Sequence, residues 1–489
     1  MTSSTSPLPF SSPEPVMKPH VVLVSFPAQG HLKPFLSLAK LLHSAGGFRV
    51  TLVNTEFNYY RLLSSSPSAA AAVSDPIPDF SFASIPDGLP QAPLDATHIF
   101  SLCSSTSRHC PAFFRSFLST LSPPATCVIT DGSMSTTAAV AVEIGIPVWL
   151  FYTHSGCGFW SYAHFRELVR RGCSPIKDEA SLDKPIEFIA GMDGIRLRDL
   201  PTFARATDAA DPMLNLMIRR ADDAKQGIGL ILNTFDELET DVLDAIRSQF
   251  GNLYTIGPLS RLTDRLAQNS PVAMIGSSLW DIDNACLSWL DRQEKERVVY
   301  VNFGSLAVFS EEKLAELAWG LYGSGYPILW VVRPDMVLGG GTDAAGFAES
   351  VKKMEDRTMV VSWCDQEAVL AHPATGVFLT HCGWNSTLES LSEGVPMVCW
   401  PFFAEQPTNC RYICQVWGTG LEMQRELKRE NVAAMVREAM DGEKGREMRR
   451  KALQWKEKVR TAMELGGSSH GNAERLIKDI AKMCSKFGN

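Results

Sequence analysis

The sequence predicts an α/β protein made of two doubly wound, Rossmann-like domains facing each other across a cleft. Three observations carry this. The chain's 489 residues exceed what one hydrophobic core organises, so the length divides into two or three domains. An apolar run, a loop, a helical pattern and a second apolar run follow one another near residue 20 and again near residue 300. Between them, Ser260 to about Ser278 is polar and irregular, with the composition of an interdomain linker. Hydrophobic residues at 45% and charged residues at 20% are ordinary for a globular protein. A net charge of −8 argues against nucleic acid or an anionic membrane as the main partner, because either calls for a basic face, and points to a small molecule.

The N-terminal MTSSTSPLPFSSPEPVMKP is rich in Ser and Pro and reads as a disordered leader over residues 1–18. No apolar core preceded by positive charge marks it as a signal peptide, and no run approaches the roughly 18 apolar residues of a membrane span. The twelve cysteines are scattered, without a CxxC pair or metal-ligand spacing, which implies a reducing compartment and a cytoplasmic protein.

Val21–Phe26 reads as a strand. It is followed by the loop Pro27-Ala28-Gln29-Gly30-His31 and by a helix with Pro34 in its first turn and Gly46-Gly47 at its end. Phe48–Asn54 resumes an extended pattern, which completes a βαβ unit. Open parallel sheets place ligands at the C-terminal ends of their strands, where this loop presents His31. Cys127–Asp131 is a second apolar run, ending in a carboxylate. In a parallel sheet both strand ends lie on one rim, so His31 and Asp131 can meet. An imidazole oriented by a carboxylate is a general base for a hydroxyl; taken alone, Asp131 is more simply a helix-capping or turn residue. The irregular stretches 57–120 and 154–202 are rich in Phe80, Phe82, Phe100, Phe113, Phe159, Trp160, Tyr162 and Phe165. They suit either an apolar acceptor pocket or core packing.

In the second half, Val298–Phe303 meets Gly304-Ser305 and a helix from about Glu311 to Gly323, then the extended Ile328–Val332. Gly339-Gly340-Gly341 lacks a following Lys-Ser or Lys-Thr and reads as a flexible loop. The densest stretch is WCDQEAVLAHPATGVFLTHCGWNSTLESLSEGVPMVCWPFFAEQ, from Trp363 to Gln406. Val377–Leu379 reads as a strand broken by His381-Cys382-Gly383, and Asn385–Leu391 as a short helix stopped by Gly394 and Pro396. The free N–H groups and positive dipole end of that helix favour a phosphate. Helical patterns at 429–440, 444–464 and 472–484 close the chain.

The Trp363–Gln406 stretch resembles the signature box of plant family 1 UDP-sugar-dependent glycosyltransferases. PAQGHLKP is similar to that family's N-terminal loop, and CVITDGSMS to its partner strand. IPDGLP, GIRLRDLPTF and ILNTFDELE resemble the branch that glucosylates cyanohydrins, iridoids and other terpenoids. Asp365 stands where the family usually has Pro, Glu405 where many members have Asp, and Lys33 where Asn is common.

The resemblance implies the GT-B architecture. Residues 19–259 would hold the acceptor and 279–465 the donor, with the linker at 260–278 and a last helix, 466–489, packed back on the first domain. It implies His31 as base and Asp131 as its orienting partner. Trp363 would stack on uracil with Gln366 helping to hold it, and Glu389 would bind the ribose hydroxyls. His381, Asn385, Ser386 and Ser305 would hold the diphosphate, the imidazole being neutral to cationic. Thr153, Trp384, Glu405 and Gln406 would face the sugar, with Gln406 biasing the donor to UDP-glucose. The implied reaction is an inverting transfer of glucose to a hydroxyl of a small apolar plant metabolite by a monomer without a metal. Two alternatives are a sugar-nucleotide-binding protein without activity and a Ser or Cys hydrolase; no GxSxG elbow supports the latter.

Overall fold

The computed structural model describes residues 18–90, 98–264, 270–337, 351–424 and 426–487. The leader before Lys18 and Gly339-Gly340-Gly341 lie outside the described residues. Two all-parallel sheets form, their inner strands built from apolar runs buried along almost their whole length, as strands covered on both faces require, and most of their edge strands partly exposed. The first contains β1 (His20–Val24), β2 (Arg49–Thr55), β3 (Phe80–Ile85), β4 (Cys127–Asp131), β5 (Val148–Tyr152), β6 (Gly229–Leu232) and β7 (Leu253–Thr255), in the order β3-β2-β1-β4-β5-β6-β7. The second contains β8 (Val298–Asn302), β9 (Ile328–Val331), β10 (Thr358–Val361), β11 (Thr375–Thr380), β12 (Met397–Cys399) and β13 (Gly420–Glu422), in the order β10-β9-β8-β11-β12-β13.

In each sheet the order of strand addition reverses once, between β1 and β4 in the first and between β8 and β11 in the second. The crevice outside the strand ends at such a reversal is where open α/β sheets bind ligands. Val24 pairs with Thr130 across the first, and Leu379-Thr380 with Val301-Asn302 across the second.

Of the segment expected as an interdomain linker, Ser260–Thr263 belong to the short helix Leu259–Thr263, and residues 270–278 are irregular but tied down. Val272 and Ile275 are buried, and Lys40 Nζ donates to the Ala273 and Ile275 carbonyls at 3.0 and 2.6 Å. Gln29 reaches Ser277 O and Leu279 N, so these residues clamp onto the first sheet's leading helix. The terminal helix Ser468–Phe487 lies against β7, with Tyr254 donating to Asp479 at 2.7 Å and Ser469 to Gly257 O at 2.7 Å.

Candidate active site

The helix after β1 spans Gln29–Ser44, starting earlier than Pro34 indicated, and His31 stands in its first turn rather than in a loop. The reason is local: Ala28 O already accepts from the His31 and Leu32 amides, both at 2.9 Å, so the helix is wound before Pro34 is reached. Proline lacks the amide that would bond Gly30 O one turn back. Asn385 of the second half fills that place, its Nδ2 donating to Gly30 O at 2.9 Å.

His31 Nδ1 lies 2.7 Å from Asp131 Oδ2 and 3.1 Å from Thr153 Oγ1. Asp131 is 1% exposed, and its other oxygen accepts from Ser133 N at 2.8 Å. Asp131 is therefore a turn-capping carboxylate and the imidazole's partner at once. Burial alone would raise its carboxyl; the His31 ring and the Ser133 amide outweigh that and hold it below the usual carboxylate range. With Nδ1 engaged, Nε2 is the nitrogen left to act. Thr153, expected at the sugar, lines the cavity and also braces the imidazole.

The helix after β11 spans Trp384–Glu393, with Gly383 at its N-cap, no side-chain cap, and Gly394 left-handed at its end. Before it, Cys382 is held at φ 64°, a strained conformation for a residue with a Cβ. Asn409 pins this turn by donating to Cys382 O at 2.9 Å while accepting from Ser155 Oγ of the first half at 2.7 Å. The His381 ring packs where a side chain on residue 304 would be: a Cβ on Gly304, whose φ is +70°, would lie 2.6 Å from Nε2. Burial pushes the His381 imidazole down to about 4, with Arg333 adding to the effect. The shift favours the neutral end of the expected neutral-to-cationic range. Buried Arg333 holds the loop carrying Ser305 by donating to Gly304 O and Ala307 O.

Gln366 is a hub. Its Oε1 accepts from Asn302 and Tyr300, and its Nε2 donates to Ser386 Oγ at 2.9 Å and Glu389 Oε2 at 2.6 Å. Its amide is thus engaged within the protein, and the residue lines the cavity. The other oxygen of Glu389 accepts from Lys33 Nζ at 2.8 Å, and Lys33 also forms a 2.5 Å ion pair with Glu367. Burial works against the Lys33 charge, yet these two carboxylates hold its ammonium above the ordinary lysine range. Burial raises the Glu389 carboxyl, and Lys33 opposes that. Trp363 stacks on Trp280 with ring centroids 4.6 Å apart. Asp365 caps the helix Gln366–Ala371 through Ala368 N. Gln406 Oε1 accepts from the Phe402 and Phe403 amides, so its amide group presents donors to the cavity. Trp384, expected at the sugar, lines the cavity but gives its indole N–H to Asn233 O at 2.7 Å.

These groups surround one cavity of about 920 Å³ between the two sheets. His31, Thr153, Ser305, Trp363, Gln366, His381, Trp384, Asn385, Ser386, Glu389, Glu405 and Gln406 all line it, with Asp131 directly behind His31. Of the aromatic candidates, Phe159 and Tyr162 line it, Phe80, Trp160 and Phe165 are core, and Phe100 and Phe113 are exposed. Sequence reasoning missed Tyr152, His154, Phe203, Met217 and Arg220 on its wall. It also missed that Cys382, Cys399 and Cys410 bring their sulfurs within 4.8 Å of one another, since their spacing matches no metal-ligand pattern.

Two parallel-sheet domains closing on such a cleft define the GT-B class of glycosyltransferases. Residues 283–457 match the family described as UDP-glucoronosyl and UDP-glucosyl transferase. The chain is similar to UDP-glycosyltransferase 85A1 of Arabidopsis thaliana, 48% identical over 94% of this chain and 96% of that one. It is similar also to 7-deoxyloganetin glucosyltransferase of Catharanthus roseus, 45% identical over 96% and 98%. Among solved structures it resembles Os79 from O. sativa in complex with UDP, with a TM-score of 0.79 and 30% identity over 95% of this chain and 100% of that chain. The chain belongs to the UDP-glucoronosyl and UDP-glucosyl transferase family, as a UDP-glycosyltransferase acting on a nucleotide-sugar donor.

Proposed function

We propose that the protein transfers glucose from UDP-glucose to a hydroxyl of a small plant metabolite, with inversion, giving a β-glucoside. The observation that carries this is the His31–Asp131 pair at 2.7 Å, facing the open helix end at Trp384 across one cavity. The Catharanthus relative, named for glucosyl transfer to 7-deoxyloganetin, supports the donor and a terpenoid class of acceptor.

His31 Nε2 takes the proton of the acceptor hydroxyl while Asp131 stabilises the imidazolium that forms. The oxygen forms its bond to the anomeric carbon on the face opposite UDP as the bond to the diphosphate oxygen breaks. The amides at the start of Trp384–Glu393, the Ser305 and Ser386 hydroxyls and neutral His381 donate to the leaving diphosphate. Trp363 stacks on the base and Glu389 accepts from the ribose. Glu405 and the Gln406 amide meet the glucose hydroxyls. No metal is required in this scheme, so turnover in excess EDTA should equal that without it.

Assay with UDP-glucose over a panel of terpenoid, phenolic and cyanohydrin alcohols tests the reading, and no glucoside from any of them would sink it. Competition among UDP-glucose, UDP-galactose and UDP-xylose tests the Gln406 assignment, for which a clear preference for another sugar counts against glucose. We place the enzyme in the cytoplasm. Its twelve cysteines are free thiols, and among the described residues no helix is long and apolar enough to cross a membrane. Because one chain supplies both walls of the cavity, we assign a monomer, which light scattering checks.

A further inference from the structure

The indole assigned to the base is itself stacked from behind. Trp363 and Trp280 lie with ring centroids 4.6 Å apart and planes 23° from parallel. Trp363 lines the cavity and Trp280 does not, so the face of Trp363 turned to the cavity is the one Trp280 leaves uncovered. The guanidinium carbon of Arg61 lies over the Trp280 ring, 4.8 Å from its centre. Because Trp363 already occupies one face of Trp280, Arg61 covers the second. The result is a layered stack, Arg61 on Trp280 on Trp363, that ends at the cavity.

The stack crosses the seam between the two halves. Arg61 belongs to the helix Glu56–Ser65 of the first half, and Trp363 follows β10 in the second. Trp280 is fixed between them. Leu279 N donates to Gln29 Oε1 at 2.8 Å, Ser65 Oγ to Ser278 O at 2.7 Å, and Ser278 Oγ to Trp280 O at 2.7 Å. On the other side, Asp283 N donates to Trp363 O at 3.1 Å. A lone indole on a cavity wall turns about its side-chain bonds, and stilling it when a ligand arrives costs affinity. Here that freedom is removed beforehand, because a stacked aromatic pair and a cation over a ring face each favour one arrangement.

We propose that Trp280, backed by Arg61, is a positioning residue for the donor: it fixes the plane of Trp363, so that the cavity selects a flat, conjugated pyrimidine. This rests on the transferase reading above, in which Trp363 meets the base, and it gives the first half of the chain a share in recognising that base. Trp280 acts through Trp363 and away from the reacting atoms, so it strengthens ground state and transition state alike. Its removal should therefore appear in KM for the sugar nucleotide and not in kcat.

The test is calorimetric titration of the full-length protein with UDP and with 5,6-dihydro-UDP, whose saturated base is puckered and stacks poorly. Wild type should bind UDP roughly tenfold more tightly than the dihydro compound, the order of effect that stacking a base on an aromatic ring supplies. Trp280→Leu should weaken UDP binding about threefold to tenfold and leave the dihydro compound within about twofold, so the preference shrinks. Trp280→Phe should keep most of it, and Arg61→Met should lose about twofold to fourfold. With saturating UDP-glucose, kcat of the three variants should stay within about twofold of wild type while KM follows the UDP affinities. A residue that only filled space would weaken both nucleotides alike. Equal losses for the two, an undiminished preference in Trp280→Leu, or no preference in wild type overturns the proposal. Should Trp280→Leu not fold, Arg61→Met carries the test from the half-exposed end of the stack, and a full UDP preference there overturns it. Loss of the preference in the variants, with no glucoside formed by wild type from any alcohol, would sink the transferase reading and leave Trp280 standing. Glucosylation by wild type with the preference intact in Trp280→Leu does the reverse.

Discussion

The two sheets share a strand order, yet the crevices at their reversals hold opposite chemistry. Between β1 and β4 sits a titratable pair, His31 and Asp131 at 2.7 Å. Between β8 and β11 sits neutral His381, packed against Gly304 beside an uncapped helix end. One topology thus provides two kinds of ligand site. A group that must move a proton needs a partner to orient it, whereas a group that must meet a fixed negative charge needs dipoles that stay put. The first half is read as the part that does chemistry and the second as the part that holds the donor.

The comparison breaks most sharply at His31. His31→Ala should lower kcat by about 10²–10⁴-fold while leaving UDP affinity unchanged, measured by turnover and calorimetry. A parallel loss of UDP affinity would show that the division between halves is wrong. The mirror change, Glu389→Ala, should weaken UDP binding by roughly tenfold or more, since it removes a charged acceptor for the ribose. It should alter kcat at saturating donor far less than His31→Ala.

Lys33 tests the seam, because it stands on the first half and binds the donor carboxylate of the second. Lys33→Met removes the cation that bridges Glu389 and Glu367, so UDP-sugar KM should rise several-fold. Stability should fall by about 1–3 kcal/mol, read by denaturant unfolding, with Lys33→Arg closer to wild type. The last test concerns His381. Its folded value of about 4 lies below the ordinary histidine value, so the unfolded chain takes up more protons between the two. This site's contribution is therefore fully present above about pH 6.5 and is lost as pH falls toward 4. His381→Asn should flatten that acid-side decline by about 1–3 kcal/mol, measured as unfolding free energy against pH.

The strands were legible because parallel strands covered on both faces are written as unbroken apolar runs, such as Cys127–Asp131, which begins and ends where expected. The stop of Trp384–Glu393 was legible because Gly394 marks a left-handed end, although the helix is longer than the Asn385–Leu391 expected. The helix before Pro34 was misread because proline is itself a helix-start signal, while the bonds to Ala28 O that start this helix leave no mark in composition.

By itself the sequence determined the two-sheet plan, the strand ends that place Asp131 and His381 and lead into His31, and the helix offered to the donor. Those features follow from local periodicity and turn chemistry, which neighbouring residues encode. Only the tertiary structure decided that Lys33 reaches Glu389, 356 residues away, and that Asn385 completes the turn Pro34 leaves open. These depend on how two separately wound sheets close on each other, and pairing across a cleft has no period along the chain.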